Sequence, residues 1–477
     1  MTNPRDLPQK RVRQSGPAAP PAGNTSIRPV VIFGVVAMAL LMSSLDQTIV
    51  ATALHALQHD LGAPITWASW TMTIYSLGLV IMLPIAGKLS EQYGRRRVFL
   101  ASVGIFTAAS LCCGLAWNIY VLVTLRFLQA LGGAGFTPSA TAIIVDHFGS
   151  ARDRAVGLFG SIFPIGAMIG PIFGGLFVTY WSWRGIFLVN VPIGALLIVL
   201  CVRFIPRDPL QARRPMEHFD LAGTSQLGVG VLAVMAALNA LSDGDRALWT
   251  PEFLAPSAIA VLALALFARH TATSSRPLIP GRFITGRGFG ATNVINIVYG
   301  GMVAGLVALI PLYATTRFGI PALGSGTLLT AQGAAVVVMS SIGAFFLRKT
   351  GYRLPIYVGA VVMAIGIFAL SVIPPGVTAY AWLAFAAGVI GLGAGWASPA
   401  SRNAGLQLAP ESSSTLAALR SMCRQIGLIT TISITTAMIS GAVGSGAAHA
   451  HAYAIWAVIL LLLIPVIARV PEHRGAW

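Results

Sequence analysis

An all-α polytopic membrane protein is the fold class this sequence predicts, on three observations. Of its 477 residues, 56% are apolar and only 9% are charged, with a mean hydropathy of +0.78; that balance excludes an ordinary soluble protein. Apolar runs of roughly 20 residues, the length a helix needs to cross about 30 Å of hydrocarbon, recur along nearly the whole chain. The formal charge of +17 would suggest nucleic-acid binding in a soluble chain, but here it lies mostly between the apolar runs. No nucleic-acid partner is expected; the lipid bilayer is.

Fourteen spans are expected in order, at about 29–55, 67–87, 98–117, 119–144, 156–180, 183–204, 221–242, 252–269, 288–316, 322–347, 353–374, 378–400, 412–441 and 450–470. Residues 1–28, with several Pro, Arg and Gln and almost no large apolar side chains, read as a disordered tail. They are not a signal peptide, because the apolar stretch that follows is too long, carries Asp46 and ends without a small-residue cleavage pattern. Of the 31 Lys and Arg residues, 25 fall in the N-terminal tail, the even-numbered loops and the C-terminal tail; only Arg184, Arg246 and Arg317 fall in odd-numbered loops. The positive-inside bias therefore predicts both termini, including the tail 471–477, in the cytoplasm.

Segments 205–220 and 270–287, rich in Arg and Pro, are the longest cytoplasmic connectors, and they bracket spans 7 and 8. The expected division is a six-helix bundle over 29–204, connectors and an inserted helix pair over 205–287, and a second six-helix bundle over 288–470. One internal similarity is in register with two homologous halves: Gly133-Ala-Gly-Phe136 before Pro138 in span 4, and Gly393-Ala-Gly-Trp396 before Pro399 in span 12.

Burying an ionised side chain at mid-membrane costs about 2.5–3.5 kcal/mol on insertion scales, so each such residue calls for a partner, a water-filled cavity or a function. Asp46 is the one acid deep in any expected span. At about 1.5 Å per residue it lies some 6 Å to the outer side of the centre of span 1, and Arg126 lies about 9 Å to the outer side of the centre of span 4. Matching depth predicts an Asp46–Arg126 pair or a shared polar cavity. Such a carboxylate suits proton carriage, since burial favours its neutral form and a nearby Arg its charged form. In span 13, Arg420 and Arg424 share a helical face beside Gln425; Arg420 can snorkel to the headgroups. Arg424, near mid-span, is either a structural hydrogen-bonding group or a site for an anionic or strongly polar part of a substrate.

Cys112, Cys113, Cys201 and Cys423 all fall at membrane depth, where free buried thiols are expected. No metal cluster is expected: His449 and His451 read as solvated histidines of a short outer loop with no carboxylate or Cys beside them. Gly87-Lys88 lacks the glycine-rich lead-in of a Walker A loop, so ATP is not the expected energy source. No nucleophile–base constellation is visible, and an enzyme is not expected.

The string Gly87-Lys-Leu-Ser-Glu91-Gln-Tyr-Gly94-Arg95-Arg96-Arg97 resembles the signature loop of the major facilitator superfamily. Gly166-Ala-Met-Ile-Gly170-Pro171-Ile-Phe-Gly174-Gly175 looks like that superfamily's antiporter motif, and Arg126, Gln129 and Gly132 look like its proton-coupling motif. Leu45–Leu54, Trp70 with Tyr75, and Trp183–Gly194 are similar to the 14-span branch of drug:proton antiporters. Two departures stand out: Glu91 where the family usually has Asp, and Ala130 where it usually has Gly. Independently of the family, small residues at four-residue spacing allow close helix approach, Pro171 favours a bend, and Glu91 with the Arg cluster could form an ionic latch.

The resemblance implies a major facilitator fold of two six-helix bundles plus two central helices in a bacterial cytoplasmic membrane, working by alternating access. It implies a proton-coupled antiporter that exports drug-like or amphipathic small molecules, with Asp46 and Arg126 coupling protons and no cofactor beyond the proton gradient. Gln129, Tyr299, Gln332, Trp396 and Arg424 are the candidate cavity groups. One deep acid against three intramembrane Arg residues argues against a specialist for cations and leaves room for neutral or anionic compounds. An exporter of lipid or lipid-linked molecules on the same fold is the alternative; a proton-driven importer is a third possibility, against which the span 5 motif argues by resemblance.

Overall fold

The computed structural model describes the chain except residues 1–28, 64, 209–219, 241–249, 275–276, 321, 441–444 and 474–477. The expected disordered tail and most of the first long connector thus lie outside the described residues. The first half runs α1 (Pro29–Asp60), α2 (Ile65–Tyr93), α3 (Arg95–Gly114), α4 (Ile119–Gly133), α5 (Phe136–His147), α6 (Arg152–Phe159), α7 (Ile162–Tyr180), α8 (Gly185–Leu188) and α9 (Asn190–Phe204). A hairpin of α10 (Leu221–Ala240) and α11 (Pro251–Thr273) and a short α12 (Gly281–Thr285) follow. The second half comprises α13 (Phe289–Ile295), a π-helical segment Asn296–Met302, α14 (Val303–Ala308), α15 (Ile310–Phe318), α16 (Ala322–Thr350), α17 (Arg353–Ser371), α18 (Ala379–Leu406), α19 (Ser413–Ser440) and α20 (Ser445–Leu462).

Helix boundaries follow local chemistry. Asn118 caps α4 by accepting from the Val121 amide at 2.8 Å. Gly94 breaks α2 from α3 at φ 99°, where a side chain would be strained. Pro399 is carried inside α18, so that helix continues to Leu406, past the end at residue 400 expected from sequence.

Among the described residues, twelve helical segments are long and apolar enough to cross a membrane. Fourteen were expected. The two not among them are helices nonetheless: within the described residues α10 contributes the shorter apolar stretch Ala222–Val234, and α19 carries Arg420, Arg424 and Gln425.

Two apolar cores form. One is built from residues between Ile32 and Ile205, joined by Ala418; the other from residues between Ile295 and Val470. Along the seam where α2 meets α19, Leu77, Val80 and Ile85 pack with Leu416, Leu419 and Met422, and Leu227, Val231 and Phe267 of the hairpin join that cluster. The two similar glycine strings both lie at close helix contacts. Their first glycines meet different kinds of neighbour: a Cβ at Gly133 would fall 2.8 Å from the Tyr75 hydroxyl of α2, and one at Gly393 would fall 2.8 Å from the Met363 amide nitrogen of α17.

Several local expectations are corrected. Cys112 is exposed, whereas Cys113, Cys201 and Cys423 are buried. His449 is no solvated loop residue: it is 1% exposed, inside α20, with its ring 5.5 Å from Tyr313 and stacked 6.3 Å from Tyr453. α20 starts at Ser445, five residues before the start expected from the apolar pattern, and carries the histidine inward. His451 is exposed.

Candidate functional site

Asp46, Arg126, Gln129, Ser110 and Asn190 converge from α1, α4, α3 and α9 into one buried network, none more than 2% exposed. Arg126 Nη1 donates to Asp46 Oδ2 at 2.8 Å and to Gln129 Oε1 at 2.6 Å. Gln129 stands one turn beyond Arg126 on α4, and its Nε2 donates to Asp46 Oδ1 at 2.9 Å and to Ser110 Oγ at 2.6 Å. Asn190 Nδ2 donates to Asp46 Oδ1 at 3.0 Å. Arg126 Nε reaches the Thr71 carbonyl at 3.2 Å, and its guanidinium lies 4.1 Å from the Tyr75 ring centroid. The carboxylate accepts three hydrogen bonds, so its charge is both matched and solvated by protein, the condition under which a buried ion pair is tolerated. Protonating Asp46 would leave the Arg126 charge without its counter-ion and disturb the whole set together.

This network faces away from the space between the halves. On α1, Ser43 and Gln47, which flank Asp46, line a cavity together with Leu40, Leu79, Leu83, Gly133, Thr137 and Phe163 of the first half. The second half contributes Arg402, Arg420, Ser421, Arg424 and Gln425. Tyr75 separates network from cavity: its ring covers Arg126, and a Cβ at Gly133 would fall 2.8 Å from its hydroxyl. A second cavity, lined by Asn293, Asn296, Ser401, Arg402 and Arg420 among others, continues toward the end bearing the 87–97 loop.

At that end the halves are clasped. Glu91 Oε1 accepts from the Thr415 amide at 2.9 Å in the first turn of α19, where an anion is favoured. Ser414 donates to Ser90 at 3.2 Å, Asn403 to the Asp153 carbonyl at 3.1 Å, and Arg402 to the Gly160 carbonyl at 3.1 Å. A Cβ at Gly87 would fall 2.9 Å from that of Ala418. The expected latch between Glu91 and the arginines is therefore corrected: Arg95 pairs with Asp146 and donates to the Ala142 carbonyl at 3.0 Å. Arg96 donates to the Val202 carbonyl at 2.8 Å, and Asp208 accepts from the Arg96 and Arg97 amides at 3.1 and 3.2 Å. Gly94 leaves room for that Asp208 carboxylate.

The glycines of span 5 divide. Cβ atoms at Gly166 and Gly170 would collide with Ser44 and Thr48, so α7 packs directly on α1 there, and Ser44 Oγ donates to the Phe163 carbonyl at 2.5 Å. Nothing lies within 4 Å of the Cβ position at Gly175, so close approach does not explain it. Gly174 is buried, and α7 runs unbroken across Pro171. The replacement of the usual glycine by Ala130 is accommodated across the interface: a Cβ at Gly78 of α2 would fall 2.7 Å from Ala130 Cβ.

Of the expected cavity groups, only Arg424 lines the cavity; its guanidinium lies 4.5 Å from the Phe163 ring centroid. Gln129 belongs to the buried network. Tyr299 turns into the second core and donates to the Leu460 carbonyl at 2.8 Å. Gln332 and Trp396 line neither cavity; their carbonyls face Gly391 and Gly343 across the α16–α18 contact. Sequence reasoning missed Ser110, and did not give Asn190 or Arg402 a role. The signal for Arg402 is its spacing of four from Ser398, whose hydroxyl it meets at 3.0 Å on one helical face.

A family model described as Major Facilitator Superfamily matches residues 36–432. The chain belongs to this family. A major facilitator protein is a transporter and not an enzyme, and this chain is a multi-pass membrane member. It is similar to the multidrug transporter protein MdtP of Bacillus subtilis, 33% identical over 79% of this chain and 69% of that protein. It is also similar to the methylenomycin A resistance protein of Streptomyces coelicolor, 29% identical over 96% of both chains. Among solved structures, the proton:xylose symporter XylE bound to a sugar analogue superposes with a TM-score of 0.67 at 14% identity, covering 94% of this chain and 97% of that one. The human organic anion transporter MFSD10 superposes at 0.62 and 16% identity, over 93% and 100%. These two likenesses establish the fold.

Proposed function

We propose that this major facilitator protein exports drug-like or amphipathic small molecules across a bacterial plasma membrane in exchange for protons. The observation that carries the reading is the buried Asp46–Arg126–Gln129–Asn190 network beside, but not open to, an inter-half cavity. Its position suits a proton relay whose state is felt by cavity-lining Ser43 and Gln47 on the same helix. The multidrug and antibiotic-resistance names of the similar bacterial proteins support efflux as the direction. In this reading α10 and α19 also cross the bilayer. That makes fourteen spans, six in each half around the inserted hairpin, with both termini and the clasped end cytoplasmic.

One proton suffices energetically. A 100-fold gradient of a neutral solute costs about 2.8 kcal/mol, while the proton brings about 2.3 kcal/mol per 100 mV and about 1.4 kcal/mol per pH unit. The test is an imposed pH gradient in everted vesicles, challenged with cationic, neutral and anionic compounds. Collapse of the gradient that requires Asp46 is expected; a gradient that no compound discharges, in correctly inserted protein, would count against proton exchange.

A further inference from the structure

The cavity between the halves has a chemical polarity that the proton site does not explain. Arg402, Arg420 and Arg424 all line it, and no Asp or Glu is among its lining residues. Among the described residues, none of the three forms a salt bridge; the acid nearest in sequence to the cavity, Asp46, is committed to Arg126, Gln129 and Asn190 behind Tyr75. Arg402 has Ser398 and the Gly160 carbonyl, Arg424 has the face of Phe163, and both contacts leave the positive charge uncompensated. Three guanidinium groups gathered in one cavity without a counter-charge is a costly arrangement, and cations inside the helices of a membrane protein by default mark a ligand or ion path. Guanidinium also presents a fork of N–H donors that matches carboxylate, sulfonate and phosphate oxygens.

The first-half side of the cavity carries apolar Leu40, Leu79, Leu83 and Phe163 beside the uncharged Ser43, Gln47 and Thr137. We propose that Arg402, Arg420 and Arg424 form the binding site for the anionic group of an amphipathic substrate whose apolar body lies against α1, α2 and α7. The inference rests on the exporter reading and supplies its substrate class. The anion offsets part of the cluster's charge, and Arg402, which also ties α18 to Gly160 of the first half at 3.1 Å, links occupancy to the contact between halves. The same oxyanion chemistry could be presented by a soluble aromatic acid or by a phospholipid headgroup.

The full-length protein in detergent is titrated with 2-naphthoate and with 2-naphthylmethylammonium, two probes of similar shape and opposite charge, and with dihexanoyl phosphatidylglycerol as competitor. Naphthoate is expected to bind at least about tenfold more tightly than the ammonium. Arg420→Gln and Arg424→Gln should each weaken it about tenfold or more, the loss expected for a charged hydrogen-bonding partner, and Arg424→Lys should weaken it less than Arg424→Gln. Tighter binding of the ammonium, or naphthoate affinity within twofold of wild type in both glutamine variants, overturns the site. If a variant fails to fold, the comparison of the two probes on wild-type protein decides alone. Displacement of naphthoate by the short-chain phospholipid at lower concentration assigns the anion to a lipid; failure to displace assigns it to a soluble acid. In proteoliposomes, gradient discharge by the ammonium but not by naphthoate removes the anion site and keeps the exporter. Binding of naphthoate through Arg420 and Arg424 with no proton movement keeps the site and removes the exporter.

Discussion

Replacing Asp46 by Asn removes one charge and one acceptor from a network whose donors are all committed. In the wild type, Oδ2 takes the Arg126 bond at 2.8 Å, and Oδ1 takes Gln129 and Asn190 at 2.9 and 3.0 Å. An amide offers one oxygen. Placed at Oδ1, it sets its NH₂ against the Arg126 guanidinium; placed at Oδ2, it sets its NH₂ against two amide donors. Either way at least one buried donor is orphaned and the Arg126 charge, 1% exposed, loses its counter-ion. Removing one partner of such a pair costs about 3–5 kcal/mol. Unfolding in mixed micelles, titrated with a denaturing detergent, should show Asp46→Asn and Arg126→Gln each destabilised by about 3 kcal/mol or more. The double variant should cost less than the sum by about 2–3 kcal/mol, because both changes break the same network. Additive costs, or single costs under about 1 kcal/mol, would refute the claim that these residues act as one unit.

Three further outcomes follow from the packing and electrostatics. Gly78→Ala should destabilise by about 1–3 kcal/mol because its Cβ meets Ala130 at 2.7 Å; adding Ala130→Gly should restore most of that loss in the same unfolding assay. Glu91→Gln removes the anion from the first turn of α19, so a cysteine introduced in the clasp should react faster with a membrane-impermeant maleimide; an unchanged rate would show that Glu91 does not hold the clasp. At Asp220, burial favours the neutral acid, but the Gly223 and Leu278 amides and His270 outweigh it and hold the carboxyl below its ordinary range. A lowered carboxylate contributes stability that is present above its unfolded pKa and is lost as pH falls through the folded value. Hydrogen exchange at the Gly223 and Leu278 amides, corrected for intrinsic rates, should therefore accelerate below the ordinary carboxylate range in wild type, and that step should vanish in Asp220→Asn.

The charged half of the buried network was legible in the sequence because a lone acid in an apolar span is expensive, and a rise of about 1.5 Å per residue set Asp46 and Arg126 at one depth. Ser110 and Asn190 gave no comparable signal, since uncharged polar side chains cross a membrane at small cost. Arg402 was read as a loop residue beyond Pro399, yet α18 continues to Leu406 because neighbouring helices can satisfy the carbonyl that proline frees. Tyr299, Gln332 and Trp396 failed as cavity groups for a different reason. In helices apolar on every side, composition does not say which face meets the cavity, and Tyr299 found its partner in the Leu460 carbonyl instead. Among the described residues α19 does not stand with the twelve apolar spans, and the arginines that give that helix its interest also lower its hydropathy.

In the proposed exchange, protons move through Asp46 while substrate passes through the cavity beside it. Proton flux and substrate counterflow measured in the same proteoliposomes separate the two. Wild type should show both, and Asp46→Asn should retain counterflow while losing substrate-driven proton movement. Proton flux at wild-type level in that variant would contradict the account.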